Sequence, residues 1–399
     1  MFKIILILSI AIFLTIFSAN SQWKVINSTI SADIKALVKV NDGLMVATDG
    51  KGIYYSANNE SNWVQKNVGL INLKVYSIDV DGNKVVAGTG GSGVLISTNG
   101  GNNWASTGSG ITVPYVYAVG LFGSNIVAGT GGGGIFLSND DGKSWKANGG
   151  TTQIVNAIAR FNGYAYMGQG PYAYKSTDNG QSWQSYIPQS NTTIRAFAES
   201  FKQDGGKNVI VGTLDGIFVS TDDGKSWKNF REGNCTGLTS IGNIVFASFE
   251  NTYSEVATAY TLDNGLTWKF SDEGLPKQIN VRAITSDKEY VYIGTGDGVV
   301  WKRKITDFGI TSVENKTENN HFEIFPNPAS EYIEIRKPAG RINPVGNSDL
   351  KVFNNIGDCV MTIDSNIVKT LNRIDISHLP VGMYYIHYGD IIGKFSLIK

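Results

Sequence analysis

Lys35, Tyr76, Tyr117, Asn156 and Arg282 each stand thirteen residues before the end of an apolar strand, and Arg195 takes the same place by strand alignment. Cys235 falls at that position in a further copy of the pattern. The neighbours are small or aliphatic, so large polar side chains recurring here are out of keeping with simple packing. Gathered round one axis, cationic forks, phenol rings and an amide suit a carboxylate, a sugar or a peptide end. Filling or hydrating a channel is the plainer use of the same residues. Asp49, Asp215 and Asp297 lie in hairpins expected on the same face. Two carboxylates about 5–9.5 Å apart can hydrolyse a glycosidic bond as acid and base. Asp before Gly in a hairpin is also ordinary turn chemistry. Tyr172, in Gly170-Pro171-Tyr172-Ala173-Tyr174, adds a ring at the rim for stacking a sugar.

Other chemistries are excluded by where residues fall. His321, His378 and His387 all lie C-terminal to the repeats, so the repeat region has no Ser-His-Asp arrangement and no His-based metal site. No cofactor and no metal is expected. Lys plus Arg and Asp plus Glu are balanced at 34 each, so no global field recruits nucleic acid or an anionic membrane. Cys235 and Cys359 sit in different segments, which argues against a disulfide framework.

The elements that position these residues come from an internal repeat. Ser138-Asn139-Asp140-Asp141-Gly142-Lys143-Ser144-Trp145 is nearly rewritten at Ser220 to Trp227 and Ser176 to Trp183, with looser copies at Ser97 to Trp104, Thr261 to Trp268 and Ser56 to Trp63. The tryptophans are 41, 41, 38, 44 and 41 residues apart. A period near forty with a few short strands per unit predicts a β-propeller. The 47 glycines with only 9 prolines fit many tight turns between aromatic strands. Second strands ending at Thr48, Thr89, Thr130, Gln169, Thr213, Ser248 and Thr295 make seven units. The last lacks the motif and its fourth strand, which Trp23-Lys24-Val25-Ile26 supplies from the N-terminus. Closing the ring in this way removes two exposed sheet edges. The expected fold is all-β: a seven-bladed propeller over 22–305, closed by the N-terminal strand, plus a small C-terminal β-sandwich.

Residues 1–21 read as a signal peptide, with Lys3, an apolar run from Ile4 to Phe17 and small residues to Ser21. The polar stretch 306–321 reads as a linker, and 322–399 as the sandwich.

The repeated S-x-D-x-G-x-x-W string resembles the Asp-box, or bacterial neuraminidase repeat, of sialidase-like and photosystem assembly-factor-like propellers. The resemblance implies that the motif lies on the face opposite a ligand site. A sialidase would need an arginine triad and a Phe/Tyr-Arg-Ile-Pro opening. That opening is missing, and the repeats hold only Arg160, Arg195, Arg231, Arg282 and Arg303. The motif needs no cation either. Asp and Asn close turns, Gly takes positive φ, Trp plugs neighbouring blades, and no bidentate glutamate follows at calcium-loop spacing. Phe325-Pro326-Asn327-Pro328, Asn354-Asn355-Ile356-Gly357, Ile376 to Tyr385 and Lys394-Phe395, in that order, resemble the type A C-terminal sorting domain of type IX secretion. This implies export across an outer membrane and contact with the secretion machinery. The sequence therefore leans to an exported, monomeric, non-catalytic propeller that binds a glycan or surface protein at its channel mouth. The alternatives are a glycoside hydrolase using Asp49, Asp215 or Asp297, or a structural adhesion protein.

Overall fold

The computed structural model describes residues 22–27, 30–41, 43–57, 62–149, 152–161, 164–186, 192–202, 206–250, 256–310, 323–336, 349–354, 359–364, 373–388 and 391–398. The expected signal peptide, residues 311–321 of the expected linker and part of the first motif copy, 58–61, lie outside them. The chain divides into two units, 1–313 and 314–399.

The first unit holds seven four-stranded antiparallel sheets among the described residues. Their inner strands are Ile34–Val40, Val75–Asp81, Val116–Phe122, Val155–Phe161, Ile194–Phe201, Cys235–Ile241 and Val281–Ser286, for blades one to seven. Each inner strand neighbours the next, and blade seven meets blade one, so the ring is closed. The second strands are buried along nearly their whole length, and Asn125–Thr130 from end to end, because adjacent blades cover both faces. Fourth strands are mostly two residues long, as at Lys146–Ala147, which leaves little outer edge to pair with another chain. Blade seven takes its fourth strand, Lys24–Asn27, from the N-terminus, paired with Val300–Lys304.

Trp23 anchors that closure. It is buried, its backbone N–H donates to Glu273 O (2.9 Å) and its Nε1 to Ser271 O (2.6 Å). Residues 306–310 do not leave the propeller as the linker expectation had it. The 3-10 turn Ile305–Phe308 buries Ile305 and Phe308, and Ile310 follows them inside. Phe308 packs on Trp23, Phe246 and Tyr260, with the Arg303 guanidinium 4.5 Å from its ring centre. Two apolar side chains inside a polar stretch are what keep this segment packed.

The repeated motif closes the turn between third and fourth strands with its own side-chain hydrogen bonds. Asp140 Oδ1 accepts from Ser138 Oγ (2.7 Å) and Ser144 N–H (2.9 Å), Oδ2 accepts from Ser144 Oγ, and Ser138 Oγ accepts from Gly142 N–H (2.8 Å). The pattern recurs round Asp178, Asp222 and Asp263. In blade two, Asn99 Oδ1 takes the same bonds from Ser97 Oγ and Asn103 N–H. An amide does the work of the carboxylate, so the turn needs acceptor geometry rather than charge. Asp141, Asn179, Asp223 and Asn264 sit at φ near +60°, which Asp and Asn tolerate better than other side-chain-bearing residues. The turns also stitch blades together: Asn125 Nδ2 donates to Asn179 O (3.1 Å), and Lys175 pairs with Asp223 (2.8 Å). Trp104 and Trp145 each pack into the apolar cluster between their own blade and the preceding one.

Hydrogen bonds from Ser144 and Ser226 hold the Asp140 and Asp222 carboxyls at about 2, down from 3.8. A depressed folded pKa contributes stability above the ordinary value, and that stability is lost as pH falls through the folded value. Melting temperature should therefore drop between about pH 4 and pH 2. Asp140→Asn with Asp222→Asn, copying Asn99, should shallow that acid limb; an unchanged limb would contradict the assignment.

The second unit pairs Cys359–Ile363, Leu350–Asn354, Gly382–Tyr388 and Ile391–Leu397 in one sheet, and Glu323–Phe325, Tyr332–Arg336 and Ile374–Asp375 in the other. Ile324, Ile333, Val352, Ile376, Tyr384 and Phe395 share one core, which makes it a small sandwich. Strands Glu323–Phe325 and Cys359–Ile363 are additions to the sequence reading. Asn355-Ile356-Gly357 and the side chains of His387 and Lys394 lie outside the described residues.

Candidate binding site at the channel mouth

Every inner strand carries a β-bulge one residue after it starts. Ile34 pairs with Thr48 and Ala36 with Ala47, so Lys35 has no partner; the same skip occurs at Tyr76, Tyr117, Asn156, Arg195, Thr236 and Arg282. A bulge re-aims the extra side chain. All seven of these side chains line one cavity of about 280 Å³ formed by the inner strands. Strand order puts this mouth at the end opposite the motif turns, beside the second-to-third-strand hairpins.

The structure therefore brings together Lys35, Tyr76, Tyr117, Asn156, Arg195 and Arg282. In blade six the channel residue is Thr236 and not Cys235. Cys235 pairs with Phe249, so the second strand ends one residue later than Ser248. Cys235 is fully buried, and burial pushes its thiol up to about 12.

The mouth divides into two sectors. From blade five round to blade one runs an arc of alternating charge. Arg195 Nη1 lies 3.6 Å from Glu250 Oε2, and Arg282 Nη1 lies 2.7 Å from Glu250 Oε1. Arg282 Nε is 3.5 Å from Asp33 Oδ1, and Lys35 Nζ is 2.6 Å from Asp33 Oδ2 and 3.7 Å from Asp49 Oδ2. Asn234 Nδ2 donates to Glu250 Oε2 (2.8 Å). Three cations face three carboxylates, so the arc carries no net charge.

Blades two and three form an aromatic sector. Tyr76 and Tyr117 stack with ring centres 5.1 Å apart and planes 8° from parallel. A Cβ on Gly90 would stand 2.8 Å from Tyr76 Oη, and one on Gly131 2.7 Å from Tyr117 Cε2. The hairpin glycines thus make room for the rings, whereas the equivalent positions in blades one and six hold Asp49 and Glu250. Burial, then the Asp49 charge and the neighbouring Tyr117, raise the Tyr76 phenol above its ordinary value.

Of the three aspartates considered for hydrolysis, two carboxylates have local partners: Asp49 faces Lys35 and Asp297 accepts from the Thr295 hydroxyl in its own turn. Asp215 joins its turn through its backbone N–H, which donates to Thr213 Oγ1 (3.1 Å). Tyr172 starts a third strand opposite Gln169 and is exposed, at the outer part of the same face. The sequence reading missed Asp33, Glu250 and Thr236. Glu250 occupies the place of Asp49, and counting blade six to Phe249 would have revealed both it and Thr236.

Residues 323–395 match the secretion system C-terminal sorting domain. That domain marks the chain for export, secreted or attached at the outer-membrane surface. No curated protein sequence matches the chain. Solved propellers do. YCF48 bound to D1 peptide is 16% identical over 71% of this chain and 96% of its own (TM-score 0.55). PorZ, a surface component of the type IX secretion system of Porphyromonas gingivalis, is 12% identical over 92% of this chain and 60% of its own (0.52). The GH74 xyloglucanase of Xanthomonas campestris is 14% identical over 72% of this chain and 54% of its own (0.54). At such identities the likeness is one of fold.

Proposed function

We propose that this chain is an exported, non-catalytic propeller that docks a protein partner on its channel-mouth face. The observation that carries this reading is a run of exposed apolar side chains beside the aromatic sector: Leu73 (42%), Tyr115 (50%), Ile154 (42%) and Tyr172 (43%). Leu73, Tyr115 and Ile154 are tied by backbone bonds to the hairpins of blades one to three, so the run follows the rim. A glycan would use the tyrosine faces and polar groups, but aliphatic rim residues gain most from a protein surface. The D1-peptide complex of YCF48 supports a polypeptide as a ligand for this fold. Fixed charges and stacked rings at the centre of the mouth provide the rigid anchors that protein interfaces favour.

Tyr115→Ser with Ile154→Ser tests the reading. Both side chains are exposed, so the melting temperature should hold within a degree or two, as surface changes usually cost within about 0.5 kcal/mol. Affinity for the partner recovered from the cell surface should fall at least tenfold. Undiminished binding, or equal loss of a purified glycan ligand, would defeat the protein reading.

A further inference from the structure

The ring of bulge side chains is interrupted at blade four. Tyr76 and Tyr117 stack with ring centres 5.1 Å apart, so the second face of Tyr117 looks onward round the ring. Among the described residues that ring has no further aromatic partner. Blade four follows with the shorter Asn156, although Gly170 stands after its second strand as Gly90 and Gly131 do beside the two tyrosines. The cavity widens to match: blade four lines it with Asn156, Ala157, Ile158 and Ala159, one residue further along the strand than any other blade.

Arg195 closes the far side of this slot. Its Nη1 lies 3.6 Å from Glu250 Oε2, beyond hydrogen-bond length, and its guanidinium donates no hydrogen bond among the described residues. Arg282, by contrast, bonds Glu250 at 2.7 Å. Two steps round a seven-fold ring span about 1.8 times one step, which turns 5.1 Å into about 9 Å between blades three and five. A flat ring needs about 3.5–4 Å on each side, so one ring fits. Asn156 Nδ2 donates to Ile154 O (3.3 Å), which leaves Oδ1 an accessible acceptor with no donor from the described residues.

Resting on the docking reading above, we propose that the slot between Tyr117 and Arg195 receives one aromatic side chain of the protein partner, a tryptophan or tyrosine. Its ring stacks on Tyr117 and meets the Arg195 guanidinium on the other side, and its N–H or O–H donates to Asn156 Oδ1. An aliphatic side chain would gain burial but neither the stacking nor the hydrogen bond. An acidic one would meet the Arg195 fork with Glu250 directly beside it.

Saturation-transfer NMR on the full exported chain tests this, with blocked Gly-Gly-Trp-Gly-Gly, blocked Gly-Gly-Leu-Gly-Gly and cellobiose as probes. The tryptophan peptide should take up saturation, most strongly on its indole protons, and the other two should not. Asn156→Tyr extends the tyrosine stack into the slot, so affinity for the tryptophan peptide should fall at least tenfold while melting is unchanged or raised. Arg195→Ala should weaken it about fivefold. Equal uptake by the leucine peptide or by cellobiose would overturn the inference in favour of an unselective apolar patch or a sugar platform. No uptake by the tryptophan peptide, or uptake indifferent to either variant, would overturn it as well. The rim variants separate the two levels. Partner binding lost in Tyr115→Ser with Ile154→Ser, but indifferent to Asn156→Tyr, leaves the docking reading standing and removes the slot. Selective tryptophan uptake beside partner binding that ignores the rim variants keeps the slot and removes the docking reading.

Discussion

Trp23→Ala is expected to lower the stability of the propeller by about 3–5 kcal/mol, the usual cost of deleting a buried aromatic from a core. Trp23 holds the N-terminal strand to the last blade through its ring, its indole N–H and its backbone N–H. Its loss also exposes Phe308 and leaves the Ser271 carbonyl with the Arg303 guanidinium as its remaining donor. Because this strand completes the sheet of blade seven, the effect should reach the ring closure. Urea unfolding should show one transition at much lower midpoint. A change below about 1 kcal/mol, the range of an ordinary surface site, would mean that the ring is held by blade packing alone.

Deleting residues 323–399 should abolish delivery to the surface while leaving the propeller folded inside the envelope. Each unit has its own apolar core among the described residues, so the propeller carries its own folding determinants. Fractionation of cells followed by protease shaving reads both arms. Normal surface display of the truncated chain would show that the sorting domain is dispensable here.

Much of this molecule was legible before any coordinates. The spacing of Trp63, Trp104, Trp145, Trp183, Trp227 and Trp268 measures the ring, because one tryptophan plug per blade sets a forty-residue ruler. The Trp23-Lys24 pair revealed the closure because the same two residues begin fourth strands elsewhere, as at Trp145-Lys146. The bulge ring was visible as polar side chains in aliphatic surroundings, but the bulge itself was not. A bulge is a mismatch between two strands, and only pairing exposes it. That is also why Cys235 stood in for Thr236: counting back from a strand end fails when the strand is one residue longer. Glu250 and Asp33 were missed because their importance is relational. Each is an unremarked acid beside a strand until Arg195, Arg282 and Lys35 converge on them from other blades. Phe308 escaped for a similar reason, as a single aromatic in a polar run shows its role only against Trp23 and Tyr260.

The central claim is that the channel-mouth face, and not the motif face, meets a protein partner. A photo-crosslinking residue at Tyr172 of the surface-displayed chain tests it most directly, with the same residue at Lys225, exposed in a motif turn, as comparison. The prediction is one discrete polypeptide adduct from position 172, none from 225, and loss of the adduct in the Tyr115→Ser, Ile154→Ser background. Adducts from position 225, equal labelling from both faces, or none from 172 would contradict it.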